Sequence, residues 1–474
     1  MNSASHIDIG LPELFIRQMS ELLDEERLHQ LLRGLEEEPL TSIRVNTDKA
    51  NVVPPHGEQV PWCCHGYYLP ERPSFTFDPL FHAGCYYVQE AASMFLYHLL
   101  TQYVDKPVRM LDMCAAPGGK TTTAIDALPQ GSVVVCNEPI RLRAQILCEN
   151  IWKWGSGHVL VTNCYPKDYA RSGLSFDVIL CDVPCSGEGM FRKDKEAVAQ
   201  WSPQLVENCQ RLQREIVSDA WRCLRPGGLL VYSTCTMNTR EDEENVRWIC
   251  EELGGELLPV AVAEEWNISS SLLSGFDGNV YRFLPGFTRG EGLFMALLRK
   301  GESSSSETRG RKKAKGASKG HAASMPRQVL QWLKPAEDYQ LMQHEDVFYA
   351  VPTMLHDDVQ TAAAPLRLLS AGIPMGQMKG RDFLPHHALA LSTVLSSDVF
   401  PRVDLNHNEA IAYLRRESVC LPADTPKGHV LLTYQQKPLG FVKNLGNRAN
   451  NLYPQEWRIK NTSTPHREQT VVIG

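Results

Sequence analysis

The feature that most constrains the fold is a regular alternation of short apolar runs and longer helical patterns between residues 108 and 300. Five apolar or β-branched runs end in polar residues, at Val108–Met113, Val133–Asn137, His158–Thr162, Phe176–Asp182 and Leu229–Thr234. Helical periodicity occupies 119–128, 139–153, 203–224 and 239–253 between and after them. This alternation predicts an α/β fold, with a mostly parallel sheet and helices on both of its faces.

Weaker patterns flank this region. A helical pattern spans about 11–35, and a short strand pattern follows at 42–46. Tyr281–Phe283 and Leu293–Arg299, joined by turns that contain glycine, predict an antiparallel pair that closes the sheet. Residues 327–474 are expected to form a separate globular unit, with helical patterns near 329–333 and 388–395 and a β-hairpin over 429–443.

Length and charge bound the organisation of the chain. Its 474 residues suggest two to four domains, and its net charge of −7 is the wrong sign for a protein that coats nucleic acid by bulk charge. The charge is uneven, because residues 299–327 hold nine basic and only two acidic side chains. This segment cannot bury apolar surface and is interpreted as a tether, either a solvated linker or an arm that contacts phosphates.

Cysteine usage indicates a reducing cytoplasm. The chain has 14 cysteines, 13 of them before residue 251, and several stand in apolar runs as small core residues. Paired C-x-x-C spacings are absent, so we expect no metal. The first nine residues have no apolar signal region, and no stretch approaches 18 uninterrupted apolar residues, so neither export nor membrane spanning is expected.

The strongest local signal is Met110–Thr121, an apolar strand followed by a glycine-containing turn and a helix. A phosphate-binding P-loop is one reading, because Gly119-Lys120-Thr121 matches its end, but Cys114 stands where its first glycine belongs. Glu138 lies 18 residues after Lys120, at the end of the next strand, where a carboxylate can accept hydrogen bonds from a ribose diol. A nucleoside without a phosphate chain, S-adenosylmethionine, is favoured over a P-loop or a structural turn.

Two further cysteines follow predicted strands at the same sheet edge. Cys185 and Cys235 are flanked by small or polar residues rather than by an apolar run. Two thiols beside a methyl donor suit methylation of a pyrimidine at C5, since a thiolate that adds to C6 makes C5 nucleophilic. Asp182 is placed to hold a cytosine through N3 and its exocyclic amine.

Three motifs carry a resemblance to a known family. Cys114-Ala-Ala-Pro-Gly-Gly-Lys120, Asp182-x-Pro-Cys185-Ser-Gly-x-Gly and Ser233-Thr-Cys235-Thr resemble the signatures of the Nol/Nop/Sun family of RNA cytosine-5 methyltransferases, over about residues 79–300. The resemblance implies that Cys235 is the nucleophile, that Cys185 assists release of the product and that Asp182 binds at the cytosine and cofactor. It implies the cofactor residues Cys114, Ala115, Ala116, Pro117, Gly118, Gly119, Lys120, Glu138 and Asp182.

One departure from the family concerns the adenine side of the cofactor. Many members carry an aspartate after the third strand, whereas Tyr165 stands at about that position in this chain. Asn163 or the backbone would have to supply the contact instead.

The outer segments resemble one branch of this family. Residues 41–47 and 89–93 are also similar to segments of this family. Residues 437–440 and 447–454 resemble the extra region of the RsmF branch, bacterial methyltransferases of small-subunit rRNA whose extra region ends in a PUA-like RNA-binding module. The expected fold is therefore a Rossmann-like methyltransferase sheet with an N-terminal α/β extension and a C-terminal PUA-like region. The expected boundaries are an RNA-binding extension over 1–78, a methyltransferase domain over 79–300, a basic linker over 301–326, an intermediate domain over 327–395 and a PUA-like domain over 396–474.

The resemblance implies a cytoplasmic, monomeric enzyme that methylates cytosine C5 in 16S rRNA of the small ribosomal subunit. Three alternatives remain open at this point: a tRNA cytosine-C5 methyltransferase, a P-loop NTPase and a non-catalytic RNA-binding assembly factor. The pair of cysteines argues against the last of these, because a binding protein has no use for them.

Overall fold

The N-terminal part of the chain forms two helices and a small antiparallel sheet. The structure, a computed structural model, describes residues 10–50, 54–302, 326–363, 365–461 and 471–472. The elements are α1 (Glu13–Leu22), α2 (Glu25–Glu36), β1 (Thr41–Val45), β2 (Glu58–Gln59), β3 (Gly66–Leu69), α3 (Pro79–His82) and β4 (Tyr86–Val88). The sheet has the strand order β2-β3-β1-β4.

A nine-stranded sheet forms the centre of the molecule, and its five parallel strands are those that the alternation of patterns predicts. Most of its elements lie between residues 95 and 300: α4 (Phe95–Tyr103), β5 (Arg109–Asp112), α5 (Gly119–Ala127), β6 (Val133–Asn137), α6 (Arg141–Trp154), β7 (Val159–Thr162), α7 (Pro166–Ser172), β8 (Phe176–Asp182), α8 (Lys195–Gln200), α9 (Pro203–Cys223), β9 (Leu224–Thr234), α10 (Glu243–Leu253), β10 (Gly255–Leu258), β11 (Val280–Phe283) and β12 (Leu293–Lys300). The mixed α/β class is confirmed.

The central sheet has five parallel strands, extended by antiparallel ones. Strands β9, β8, β5, β6 and β7 lie side by side and parallel, and β12 pairs antiparallel with β9, β10 and β11. The inner strands are buried on both faces, as their apolar runs require. Helix α9 covers one face with an apolar stripe at helical spacing. Ser202 caps its N-terminus, where the Ser202 side chain accepts a hydrogen bond from the Leu205 N–H.

The C-terminal part contributes two four-stranded sheets. The elements of this part are β13 (Tyr339–His344), β14 (Val347–Pro352), α11 (His356–Ala363), β15 (Leu368–Ala371), β16 (Ile373–Lys379), β17 (Asp382–Pro385), α12 (His387–Leu391), β18 (Arg402–Leu405), α13 (His407–Leu414), β19 (Gly428–Tyr434), β20 (Lys437–Asn444) and β21 (Ala449–Asn451). The first sheet has the order β13-β14-β16-β17 and the second β18-β19-β20-β21. Strands β19 and β20 form the hairpin that the sequence predicts.

Residues 327–474 do not form the separate unit that the sequence predicts. Strand β15 pairs antiparallel with β7 and becomes the last strand of the central sheet. Without it β7 would leave an unpaired edge, which is a site for unwanted strand addition. Side chains of β14 and α11 also join the core beneath that sheet.

The expected boundary at residue 78 also needs correction. Strand β4 lies beyond it and hydrogen-bonds to β1, so the N-terminal sheet continues to Val88. Of the expected basic linker, residues 303–325 lie outside the described part of the chain.

The last sheet packs on the N-terminal sheet, and the two share one apolar core. Polar contacts fix the join. His407 Nε2 lies 3.0 Å from the carbonyl oxygen of Phe77, and His82 Nδ1 lies 3.2 Å from the hydroxyl of Tyr453. The three parts of the molecule are therefore held together by shared apolar cores.

In the described part of the chain, no helix combines the length and apolar character needed to cross a bilayer.

Arg44 on β1 fastens the N-terminal sheet to the central domain. Its side chain is fully buried, and it pairs with Asp126 on α5. Its guanidinium also donates to Gln89 Oε1 at 2.9 Å and to Thr122 Oγ1 at 2.6 Å, and it lies 4.4 Å from the ring centre of Trp154. A buried cation with this many partners is costly to disturb.

We predict that Arg44→Met destabilises the protein strongly. The change leaves the Asp126 carboxylate buried without its cation, and breaking such pairs costs about 3–5 kcal/mol. The measurement is the thermal unfolding midpoint. Arg17→Met is the control, because the Arg17 side chain is 77% exposed and surface changes stay within about 0.5 kcal/mol. Equal midpoints for the two variants would contradict the role given to Arg44.

Candidate active site

Four parallel strands deliver polar residues to one edge of the central sheet. Strands β5, β6, β8 and β9 end at Asp112, Asn137, Asp182 and Thr234. Ligands of open α/β sheets bind outside the carboxyl ends of their strands. This edge holds the residues that the sequence singles out.

The turn after β5 is tied to the end of β6. Asn137 donates from Nδ2 to the Met113 carbonyl at 3.1 Å, and its own carbonyl accepts from the Ala115 N–H at 2.8 Å. Gly118 then adopts a φ of 112° directly before α5, a conformation that other residues rarely adopt. The turn is therefore fixed against its neighbour strand, with residues 114–120 running along the sheet edge.

Lys120 on α5 is bound to the end of β8. Its Nζ lies 2.9 Å from Asp182 Oδ1, and both side chains are largely buried. Burial lowers the pKa of Lys120, but the Asp182 carboxylate outweighs that effect and raises it. This ammonium is thus engaged by a carboxylate, which argues against the P-loop reading, where the lysine binds phosphates.

Asp112 is a site residue that the sequence reasoning missed. It is fully buried at the end of β5, and its Oδ2 accepts from Thr121 Oγ1 at 2.6 Å. Burial raises the pKa of Asp112 to about 7, with a further contribution from Asp182. The signal for it was present, because it is the last residue of the strand that leads into the turn.

Glu138 lies at the end of β6, as expected, and is almost completely buried. Its Oε1 accepts from the Ile140 N–H at 2.9 Å, and its Oε2 lies 3.4 Å from Arg143. Asn163 Nδ2 donates to the carbonyl oxygens of Glu138 and Pro139 at 2.7 and 2.9 Å, so Asn163 holds this loop in place. A carboxylate accepts about four hydrogen bonds, which leaves capacity for a diol.

Tyr165, which stands where many family members carry an aspartate, lies on the surface of the molecule. Tyr165 is 62% exposed, and the ammonium of Lys167 lies 5.4 Å from the centre of its ring.

The two predicted thiols are in direct contact. Cys185 follows β8, Cys235 follows β9, and their sulfur atoms are 2.9 Å apart. The Cys235 N–H also donates to Cys185 Sγ at 3.3 Å. The hydrogen bond with Cys235, together with burial, raises the pKa of Cys185 well above its usual range, so Cys185 is held as a neutral thiol beside its partner.

Two buried carboxylates, also missed from the sequence, lie around the thiol loops. Glu188 is on the Cys185 loop and Glu241 is on the Cys235 loop, and both are fully buried. Burial raises the pKa of Glu241 to about 7, and the nearby Glu188 adds to the effect. Their contacts depend on side chains brought together from distant segments, so no local sequence pattern indicates them.

The arrangement combines a nucleophile with the means to orient a base. The thiol pair, the Lys120–Asp182 ion pair and Asp112 gather at neighbouring strand ends, and Glu138 lies further along the same edge. A thiolate that attacks an electron-poor carbon beside a fixed carboxylate is suited to covalent catalysis on a heterocycle.

Three family models match the chain. One described as 16S rRNA methyltransferase RsmB/F matches residues 100–299, one described as the N-terminal domain of 16S rRNA methyltransferase RsmF matches 11–91, and one described as the methyltransferase RsmF PUA domain matches 400–459. The ribosomal RNA small subunit methyltransferase F of Erwinia tasmaniensis is 30% identical, over 94% of this chain and 97% of that protein.

Solved structures resemble more than half of the chain in fold. A methyltransferase homolog protein from Pyrococcus horikoshii superposes with a TM-score of 0.53 at 27% identity, covering 62% of this chain and 96% of that one. The structure of NSun6 from Pyrococcus horikoshii with SFG gives a TM-score of 0.52 at 21% identity, covering 61% and 98%.

We predict that mild oxidation links Cys185 to Cys235 before any other pair. Diamide takes up two protons and two electrons from two thiols, and these sulfurs need only close from 2.9 Å to a bond of roughly 2.05 Å. Mass spectrometry of alkylated, unreduced peptides detects the link. The exposed Cys64 and Cys420 serve as internal controls and should stay alkylatable. Loss of both controls before the pair would contradict the geometry.

Proposed function

Because the chain belongs to the ribosomal RNA small subunit methyltransferase F family, we propose that it methylates cytosine at C5 in 16S rRNA, with S-adenosylmethionine as methyl donor. The observation that carries the chemistry is the contact between Cys185 and Cys235 at the ends of adjacent parallel strands. These two cysteines lie at the ends of strands rather than inside an apolar run, and cytosine-C5 chemistry needs a sulfur nucleophile.

The residues along the sheet edge fit a nucleoside donor. The backbone of residues 114–119 and the Glu138 carboxylate would hold it, with Glu138 accepting from the ribose hydroxyls. The buried Asp112 Oδ1 has no protein hydrogen-bond partner among the described residues, and Asp182 and Lys120 border the same turn. When bound, S-adenosylmethionine supplies the methyl group that C5 acquires.

Cys235 acts as the nucleophile in this proposal. Its thiolate adds to C6, a carbon–sulfur bond forms, and the electron pair of the C5–C6 double bond makes C5 nucleophilic. The position of the Asp182 carboxylate is fixed by its ion pair with Lys120, whose Nζ lies 2.9 Å from Asp182 Oδ1. We assign to Asp182 the contact with N3 and the exocyclic amine of the cytosine, which stabilises charge as the thiolate adds.

Cys185 acts after the methyl group is in place. The C5 proton passes to a base, its electron pair restores the C5–C6 double bond, and the carbon–sulfur bond breaks so that Cys235 leaves as a thiolate. The sulfur of Cys185 lies 2.9 Å from that of Cys235 and is therefore next to the bond that breaks. We assign Cys185 to this release step.

The outer parts of the chain support ribosomal RNA as the substrate. We place this reaction in the cytoplasm. The matched PUA domain over 400–459 shares an apolar core with the N-terminal sheet, so this RNA-binding module would be held in a fixed position on the enzyme. The excess of basic over acidic residues between 299 and 327 favours attraction to the phosphates of RNA.

We predict that the wild-type protein incorporates methyl groups into small-subunit rRNA and that Cys235→Ala does not. Without the thiolate no C6 adduct forms, so C5 stays unreactive and turnover falls below detection. The assay measures radioactive methyl transfer to small-subunit rRNA and to tRNA, followed by bisulfite sequencing of the product. Preferential methylation of tRNA would overturn the substrate assignment, and residual turnover by Cys235→Ala would overturn the nucleophile.

We predict that Cys185→Ala traps the enzyme on its substrate. The variant should still attack and methylate but release slowly, so a protein–RNA adduct should survive denaturing electrophoresis. Cys185→Ala/Cys235→Ala is the matched control and should give no adduct. Free release of methylated RNA from the single variant would remove Cys185 from the mechanism.

A further inference from the structure

Two buried carboxylates link the loop of Cys185 to the loop of Cys235 in both directions. Glu188 extends from the Cys185 loop and accepts from Thr236 Oγ1 and the Met237 N–H, both at 2.7 Å. These residues directly follow Cys235. The carbonyl of Cys235 in turn accepts from the Gly189 N–H at 2.9 Å.

Glu241 makes the reciprocal contact from the Cys235 loop. Its Oε2 accepts from the Ser186 N–H at 3.0 Å, directly after Cys185. The same oxygen accepts from Gln213 Nε2 at 2.6 Å, and Gln213 Nε2 also donates to the carbonyl of Pro184 at 2.9 Å, directly before Cys185. Glu241 therefore holds both sides of Cys185.

Asn238 joins the two carboxylates. Its Nδ2 lies 3.0 Å from Glu188 Oε1 and 2.9 Å from Glu241 Oε1, while its Oδ1 accepts from the Glu241 N–H. Trp201 Nε1 also donates to Glu188 at 3.0 Å. Every group that donates a hydrogen bond to either carboxylate is neutral, and among the described residues neither carboxylate forms an ion pair with a basic side chain.

Burying a carboxylate without a cation is costly unless hydrogen bonds compensate it. A network of this kind restricts the groups it binds to one arrangement. The groups bound here are the residues on either side of the two thiols, and these must keep a fixed separation for attack and release to follow one another.

We propose that Glu241 is a positioning residue that places Cys185 for the release step, and that Glu188 is its counterpart for Cys235. This inference rests on the proposed function. The two residues do different work, because Glu241 holds the segment around Cys185 whereas Glu188 holds the segment after Cys235. Loss of each carboxylate should therefore impair a different half of the reaction.

The test compares Glu241→Gln, Glu188→Gln and the control Glu207→Gln in full-length protein. Glu207 is exposed on α9, and within the described part of the chain its side chain accepts a hydrogen bond from Gln204 Nε2 at 3.4 Å and forms no ion pair. Each variant is incubated with small-subunit rRNA and S-adenosylmethionine. The RNA-linked enzyme is quantified on denaturing gels, and methyl transfer is measured in parallel.

Glu241→Gln should accumulate methylated RNA–enzyme adduct by about tenfold over wild type, the scale of a weakened charged hydrogen bond. Glu188→Gln should instead slow adduct formation without accumulation, and Glu207→Gln should match wild type. A general loss of stability would lower methyl transfer without trapping RNA, so this difference separates positioning from folding. Loss of activity in Glu241→Gln without adduct would overturn the proposal.

A second readout needs neither RNA nor methyl donor. Iodoacetamide alkylation, followed by mass spectrometry, should proceed faster at Cys185 in Glu241→Gln and faster at Cys235 in Glu188→Gln. Unchanged alkylation of Cys185 in Glu241→Gln would overturn the positioning role. If wild type and Cys185→Ala give neither methylation nor adduct, the proposed function fails, whereas the alkylation result still judges the two carboxylates.

Discussion

The parallel hydrogen-bond ladder of β9, β8, β5, β6 and β7 is the constraint on which the site depends. Parallel pairing brings the carboxyl ends of all five strands to one edge, so segments far apart in the chain meet there. Cys185 and Cys235 are 50 residues apart, yet their sulfur atoms lie 2.9 Å from each other because β8 and β9 are neighbours in register. The turn at 113–118 and Glu138 reach the same edge by the same rule.

The N-terminal and C-terminal parts of the chain pack on the central sheet and on each other, instead of forming independent domains. Arg44 fixes the N-terminal sheet to α5, β15 completes the central sheet from within the C-terminal part, and the last sheet packs on the first. A chain with a long basic segment after residue 300 thus returns to cover both the edge strand and the N-terminal extension.

Much of the fold could be predicted because its signals are local. The five parallel strands, helices α5, α6, α9 and α10 and the β19–β20 hairpin follow from periodicity, with ends displaced by a few residues. The short helices α7 and α8 are not among the predicted ones. Strand β15 could not be predicted as part of the central sheet, because pairing with β7 depends on which edge is left open and not on the four residues 368–371 themselves. The boundary near residue 78 was misplaced for the same reason, since β4 pairs with β1 across 40 residues of chain.

The sequence by itself determined the α/β class, the order of strands and helices and the residue types at the strand ends, because these depend on periodicity and on motifs within a few residues. Only the tertiary structure decided that Lys120 is held by Asp182, that Asp112 is buried beside them and that Glu188 and Glu241 connect the two thiol loops. Those contacts join residues from different strand ends. Their energies come from burial and hydrogen-bond geometry, which exist only once the sheet has brought the loops together.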